Sequence, residues 1–238
     1  MNKELRLLQK ELNTIYPELL QLQRNALVAQ PEPFSSIYNL LFKNEERSCI
    51  ISLYGYEKSY KCIFKWDDCS IFEVFCVDSK RLGAIVLSWV LKRFMPSKMK
   101  SLFSEIEFGL LAEYYEKGER IKGEFIVSWN SIEKFYGSFS DSWSSNGEDA
   151  LRLIKEMRNA GLDEKLRAGQ SLWFFILSRS RRHGLEENTQ YIQITFLGNN
   201  RMSIKSYFDG KETIEEKEVK YEGYLKDNIK ELLKESIK

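Results

Sequence analysis

The residues best suited to binding an anion lie between Lys165 and Gly184, a range that we name the basic segment. It holds five cations and no carboxylate: Lys165, Arg167, Arg179, Arg181 and Arg182. Guanidinium groups make forked contacts with phosphate or carboxylate, and serine hydroxyls near aromatic rings suit phosphate or single-stranded RNA. We predict a binding site for phosphate, nucleic acid or a partner protein, formed by Arg167, Ser178, Arg179, Ser180, Arg181, Arg182 and His183. The competing interpretation is structural, because cations also stabilise a helix C-terminus or pair with acids from elsewhere.

Catalytic chemistry is harder to build from this sequence. His183 is the only histidine, so one chain cannot form a zinc site with two His ligands or supply separate histidine acid and base groups. The chain has no GxSxG, GxxxxGK[ST] or GxGxxG motif, the signatures of common hydrolase and nucleotide sites. Asp209 followed by Glu218-Val219-Lys220 superficially resembles a nuclease metal motif, but an extended strand would separate the two carboxylates by roughly 30 Å. We therefore predict no catalytic residue, no metal ligand and no cofactor.

The four cysteines give no sign of redox or metal chemistry. The last three are spaced by seven residues, which matches neither a CxxC pair nor a structural zinc site. All four lie in segments rich in Ile, Phe and Val, where a reduced cysteine acts as a small hydrophobic residue. They are Cys49, Cys62, Cys69 and Cys76.

Composition and targeting signals predict the cellular context. The N-terminus lacks a signal-peptide core, and the longest apolar run, Leu82 to Leu91, is about half of the ~20 residues that a membrane span needs. The 238 residues carry 36 Lys and Arg against 35 Asp and Glu, with 30% charged and 43% hydrophobic residues. The composition excludes a disordered tail, a collagen-like fibre and a coiled-coil rod. The near-zero net charge argues against a protein that binds DNA or an acidic membrane over its whole surface, so any such role would need a local patch. We expect a soluble, reduced, cytoplasmic protein without a membrane partner.

The first 33 residues are predicted to form an amphipathic helical segment. Apolar residues recur at spacings of three and four from Leu5 to Ala26, a helical pattern that Pro17 kinks or restarts. We favour a helix packed on its own domain. The alternatives are a homo-oligomer formed through this helix and docking of a partner on it.

Residues 34–140 are predicted to form an α+β domain. An antiparallel meander is expected from three segments rich in β-branched and aromatic residues, Ser48–Tyr54, Tyr60–Trp66 and Ile71–Val77. Asp78 or Ser79 should cap a helix that runs to about Phe94. A capping-box pattern at residues 104–107 predicts another helix, which begins there or earlier, near Ser97, and ends near Gly118. The loop-like range 137–147 is either a domain boundary or a long surface loop.

Residues 141–238 are predicted to form a second α+β domain, or to continue the first. A helical hairpin is expected from Glu148–Ala160 and a second helix between Asp163 and Arg182, although a strand over Leu172–Leu177 is the alternative. Asp209-Gly210 predicts a hairpin turn within a small antiparallel sheet. The remaining predicted elements are strands at Tyr191–Leu197, Met202–Phe208 and Glu212–Tyr221, and a closing helix at Tyr224–Ile237.

The function expected from these patterns is that of a non-catalytic intracellular binding protein. Such a protein would be an accessory, regulatory or immunity-type partner of another macromolecule, most simply another protein. Its 13% aromatic content is consistent with interfaces and equally with a large core. The alternatives are RNA or DNA recognition through Arg179–His183, and a metal-dependent nuclease or other hydrolase.

Overall fold

The computed structural model describes residues 3–29, 38–54, 59–76, 78–138, 144–182 and 189–238. The chain divides into two compact units, unit 1 (Met1–Glu116) and unit 2 (Lys117–Lys238). Each unit contains a five-stranded antiparallel sheet in which neighbours in sequence are neighbours in the sheet. The predicted α+β class is therefore confirmed. Part of the predicted boundary loop, residues 139–143, lies outside the described residues.

Among its described residues, unit 1 has a five-stranded meander with one α-helix before it and three α-helices after it. Its elements are α1 (Lys3–Ile15), β1 (Arg24–Ala29), β2 (Tyr38–Asn44), β3 (Arg47–Tyr54), β4 (Ser59–Trp66), β5 (Cys69–Cys76), α2 (Ser79–Val86), α3 (Pro96–Leu102) and α4 (Leu110–Glu116). The predicted three-stranded meander is confirmed as β3, β4 and β5. Two further strands, β1 and β2, precede it.

The N-terminal leucines belong to the core of unit 1. Leu5, Leu8 and Leu12 are fully buried or nearly so, and α1 packs on α2 and on the sheet. The predicted continuation of the helix to residue 26 is wrong, because residues 24–29 pair with β2 as a strand. Pro17, which lacks an N–H group, begins a separate 3-10 turn instead of continuing α1.

Two predictions concern the helices that follow the meander. The cap at Asp78 is confirmed, and the capping box at residues 104–107 is wrong. Asp78 caps α2, since its Oδ1 accepts a hydrogen bond of 2.9 Å from the main-chain N–H of Lys80. The helix continues through a π-helical turn at Leu87–Leu91. The capping box predicted at residues 104–107 does not form, because residues 103–109 are not helical. The Glu105 carboxylate instead pairs with Arg81, at 2.8 and 2.9 Å.

The four cysteines are free thiols on the strands of unit 1. Cys49 and Cys62 are fully buried in the core, where Cys49 lies opposite Phe64 and Cys62 lies opposite Ile51. Burial disfavours the charged thiolate, which raises the pKa of both thiols.

We expect unit 1 to lose stability in alkaline solution. In the unfolded chain these thiols ionise near pH ~8.5, whereas in the folded chain they stay protonated. Above that pH the unfolded state binds fewer protons, so the free energy of unfolding falls as pH rises, by about 1.4 kcal/mol per pH unit for each thiol. Urea denaturation of the reduced protein across this range measures the slope. Cys49→Ala should reduce it, and an unchanged slope would show that this thiol does not contribute.

In the part of unit 2 that the structure describes, two α-helices precede the sheet and one follows it. Its elements are α5 (Arg120–Gly137), α6 (Ser144–Asn159), β6 (Arg167–Ser171), β7 (Phe174–Ser178), β8 (Tyr191–Gly198), β9 (Arg201–Phe208), β10 (Lys211–Glu218) and α7 (Gly223–Leu232). The predicted helix at 148–160 is confirmed within α6, as are the three last strands and the Asp209-Gly210 turn between β9 and β10. None of the helices in the described ranges has the length and apolarity to cross a bilayer.

The helix predicted from Asp163 to Arg182 is wrong. A short 3-10 turn at Leu162–Glu164 is followed by the hairpin of β6 and β7. Ala168, Phe175 and Leu177 of this hairpin are buried in the core of unit 2. The helix α5 covers the outer edge of β6, where the Ser128 hydroxyl accepts a 3.0 Å hydrogen bond from the main-chain N–H of Ala168. The strand alternative at Leu172–Leu177 is thus the correct one from Phe174 onward.

Candidate functional site

The basic segment lies on the β6–β7 hairpin and the chain that follows it. Arg167 in β6 is directly opposite Ser178 in β7, and Arg179 to Arg182 come immediately after β7. Ser178 and Ser180 are buried. His183 lies outside the described residues.

Two arginines of the segment bind one buried carboxylate. Glu124 projects from the first turns of α5, and its side chain is almost fully buried. Arg181 holds it in a fork, with Nη2–Oε1 at 2.8 Å and Nε–Oε2 at 2.9 Å. The Nη1 of Arg182 lies 3.0 Å from the same Oε2. This arrangement supplies the acid that the local sequence lacks, from a position 57 residues away.

The other two arginines bind main-chain oxygens. Arg167 donates to the carbonyl of Arg181 at 3.0 Å. Arg179 donates to the carbonyls of Glu235 at 3.0 Å and Lys165 at 2.7 Å, and burial lowers the pKa of its guanidinium group. The segment therefore joins β6, β7, α5 and the residues after α7.

These contacts change how a phosphate site in this segment can be tested. Reversing the charges of Arg181 and Arg182 would place new carboxylates beside buried Glu124, which is costly whether or not a ligand binds. Loss of nucleic-acid binding in that double variant would not separate recognition from unfolding. Lys165, whose side chain is exposed, is the cation of the segment suited to such a test.

The turn between β6 and β7 presents two large apolar side chains to solvent. Leu172 is 70% exposed and Trp173 is 52% exposed. Ser171 and Phe174 close the hairpin around them, so that the two residues are the whole loop. Sequence reasoning missed this pair as a site, although two adjacent large apolar residues after Gln170-Ser171 are a detectable signal.

The turn is held in a conformation that its sequence does not favour. Leu172 has a φ of +55°, a region that bulky residues rarely adopt and that two-residue hairpin loops usually fill with Gly or Asn. The Tyr136 hydroxyl at the end of α5 donates a 3.1 Å hydrogen bond to the carbonyl of Trp173. The buried Tyr136 ring packs edge-on against Phe196 of β8. The apolar pair is therefore presented on a fixed support.

The acidic candidates do not come together. Asp209 lies in the turn before β10 and Glu218 is the last residue of that strand, so the strand separates them. Among the described residues, no group of three or more His, Cys, Asp or Glu side chains could hold a metal ion. Comparison with known proteins gives no match for this chain, whether with family models, curated proteins or solved structures.

Proposed function

We propose that the chain is a non-catalytic binding protein that recognises a partner protein through the Leu172–Trp173 turn. The observation that carries the proposal is an exposed Leu-Trp pair at a position where hairpins normally have Gly or Asn. A backbone outlier at a bulky residue costs about 1–2 kcal/mol. A function that uses these side chains would explain why the chain bears this cost.

The chemistry of the pair fits a protein interface. Tryptophan is among the residues that contribute most binding energy at such interfaces, where it fills a desolvated pocket of the partner. The Tyr136 hydrogen bond to the turn limits the conformational entropy that docking would cost. The pair can therefore act as a rigid anchor.

The geometry favours a protein over a nucleic acid at this turn. Arg167 and Ser178 pair at the open end of the hairpin, while Leu172 and Trp173 form its closed end. Four residues of strand, at about 3.3 Å each, separate the turn from Arg167. The arginines near the open end bind Glu124 and main-chain carbonyl oxygens, whereas a ring that stacks on a base works together with cations that contact the phosphates.

Replacing the turn with Leu172→Asn and Trp173→Gly separates folding from binding. Leu172 has a positive φ and Trp173 does not. Asn adopts a positive φ more readily than Leu, whereas Gly at position 173 relieves no strain, so we expect the free energy of unfolding to change by less than about 1 kcal/mol. Binding of the partner should fall about 30-fold or more, because a central tryptophan contributes at least ~2 kcal/mol. Urea denaturation measures the first effect. Affinity purification from the cells that make the protein, with nuclease treatment and mass spectrometry, measures the second.

Ile214→Ser is the matched control, because Ile214 in β10 is also an exposed apolar residue of unit 2, at 60%. Recovery of the partner should be the same for this control as for the unaltered chain. If the Asn-Gly variant recovers the same proteins in the same amounts, the turn is not the contact and the proposal fails.

A further inference from the structure

A pocket opens to solvent between α1 and the 3-10 turn that follows it, and we name it the α1 pocket. Its volume is about 380 Å³, within the size range of sites for small organic molecules. The turn, at Pro17–Gln21, supplies an exposed leucine, and α1 supplies the other described residues of the lining. The side chains that line the pocket are Arg6, Gln9, Lys10, Asn13, Thr14 and Leu20. The lining is therefore polar on the side of α1 and apolar on the side of the turn.

Two cations of α1 line this pocket without a counter-charge. Arg6 and Lys10 are four residues apart, so they lie on the same side of the helix, and both are exposed. Within the described ranges neither side chain has an ion-pair partner, and no carboxylate is among the residues that line the pocket. The two positive charges are therefore available to an anion.

The acids nearest in sequence lie elsewhere. Because an α-helix turns about 100° per residue, Glu4 and Glu11 lie about 100° or more around its axis from both cations. The Glu11 carboxylate accepts a 2.6 Å hydrogen bond from the Ser79 hydroxyl at the start of α2. Glu18, two residues before Leu20, is not among the residues that line the pocket. None of these acids thus occupies the place of a ligand.

A chain of hydrogen-bonded amides leaves a donor at the pocket. The Nε2 of Gln9 donates to Oδ1 of Asn25 at 2.8 Å, and Nδ2 of Asn25 donates to Oδ1 of Asn13 at 2.6 Å. Asn25 is also held by a 3.2 Å bond to the carbonyl oxygen of Leu19. The Asn13 amide oxygen is engaged in this way, whereas its Nδ2 has no acceptor among the described residues. Asn13 therefore offers N–H groups on the same side of α1 as the two cations.

We propose that the α1 pocket binds a small phosphate monoester. Its three donor groups, on Arg6, Lys10 and Asn13, match the three terminal oxygens of such a phosphate. A carboxylate or a phosphate diester has only two such oxygens. The organic part of the ligand would lie against Leu20, which is 65% exposed. The site goes beyond the proposed function, because it lies in unit 1 and shares no residue with the Leu172–Trp173 turn.

Isothermal titration calorimetry of the full chain with phenyl phosphate at low salt tests the proposal. We expect a single site, and we expect Lys10→Gln to weaken binding about tenfold, because a charge-assisted hydrogen bond is lost. Lys100→Gln removes another exposed lysine, on α3 and outside the pocket. Its affinity should stay within about twofold of that of the unaltered chain, because a distant surface charge is screened.

Asn13→Asp tests the amide donor without removing the acceptor that Asn25 uses. The new carboxylate can still accept that hydrogen bond, so the fold should be kept, which circular dichroism and thermal melting check. The same carboxylate would repel the phosphate, and we expect binding to fall at least about tenfold. If Asn13→Asp binds phenyl phosphate as the unaltered chain does, the amide does not contact the ligand and the proposal fails.

Two further probes decide the class of ligand. Benzoate and methyl phenyl phosphate keep the ring of phenyl phosphate but offer two free oxygens instead of three, so each should bind more weakly. Equal or tighter binding of either probe would overturn the proposal, as would equal effects of the two lysine variants or no binding at all. The Leu172→Asn, Trp173→Gly variant should bind phenyl phosphate normally, whereas loss of binding there would contradict a site confined to unit 1.

Discussion

Replacing Glu124 with alanine is expected to lower the free energy of unfolding of unit 2 by about 2–3 kcal/mol, less than for a fully buried ion pair because the side chains of Arg181 and Arg182 are 23% and 40% exposed. Its carboxylate is the shared acceptor of Arg181 and Arg182. Without it, two guanidinium groups repel each other at the edge of the core. The loss is large because the partner charges stay behind when only one member of the cluster is removed.

Chemical denaturation of the variant and of a matched control gives the measurement. Glu133, also on α5, pairs with Arg158, and its side chain is about half exposed. Glu133→Ala should cost less than ~1 kcal/mol, because exposed ion pairs contribute little. Similar losses for the two variants would mean that the Glu124 cluster does not hold the hairpin, α5 and the last residues together.

Arg47→Ala is expected to destabilise unit 1 by about 3–5 kcal/mol, as for the removal of a large buried side chain. The guanidinium group of Arg47 lies between two indole rings, and alanine would leave a gap between them. Arg47→Lys should recover only part of the loss, because an ammonium group is smaller than a guanidinium group and cannot fill the space between the two nearly perpendicular rings.

Arg81→Ala provides the comparison for this second prediction. Arg81 also lies over an aromatic ring, with its guanidinium carbon 4.6 Å from the centre of Phe103, but its side chain is exposed. We expect a loss below ~1 kcal/mol. The loss of near-ultraviolet circular dichroism from Trp66 and Trp89 in Arg47→Ala, but not in Arg81→Ala, would locate the effect. If the Arg47→Ala variant is as stable as the Arg81→Ala variant, the contacts of Arg47 with the two indole rings do not stabilise unit 1 as we expect.

The parts of the fold that can be predicted from the sequence are those marked by a residue pattern within a short stretch of the chain. Alternating β-branched and aromatic residues mark β3, β4 and β5, and Asp209-Gly210 has the positive φ values of a two-residue hairpin turn. Asp78 caps α2 through its own side chain. Each of these features depends on residues that are close together in sequence.

The parts that the sequence does not predict depend on distant contacts or on a missing signal. The hairpin of β6 and β7 turns at Leu172-Trp173, which has no Gly, Asn or Asp, so a strand turn could not be recognised there. The run of cations after β7 indicates a helix end when it is considered alone. The actual partner of Arg181 and Arg182 is Glu124. This residue lies on α5, which begins 47 residues before the hairpin, and no periodicity in the sequence indicates the pairing. The candidate phosphate site was thus predicted from residues whose described contacts are with the protein itself.

The order of strands in both sheets has a consequence for how the chain folds during synthesis. Within each sheet, every strand after the first pairs with the strand made just before it, so each sheet can grow by one edge as the chain emerges, without waiting for a distant segment. Low sequence separation between paired strands favours rapid folding. The contacts between distant parts, such as Arg181 with Glu124, then close around sheets that have already assembled. Because Arg181 and Arg182 follow β7 in the chain, Glu124 gains these two partners only after the hairpin has been made.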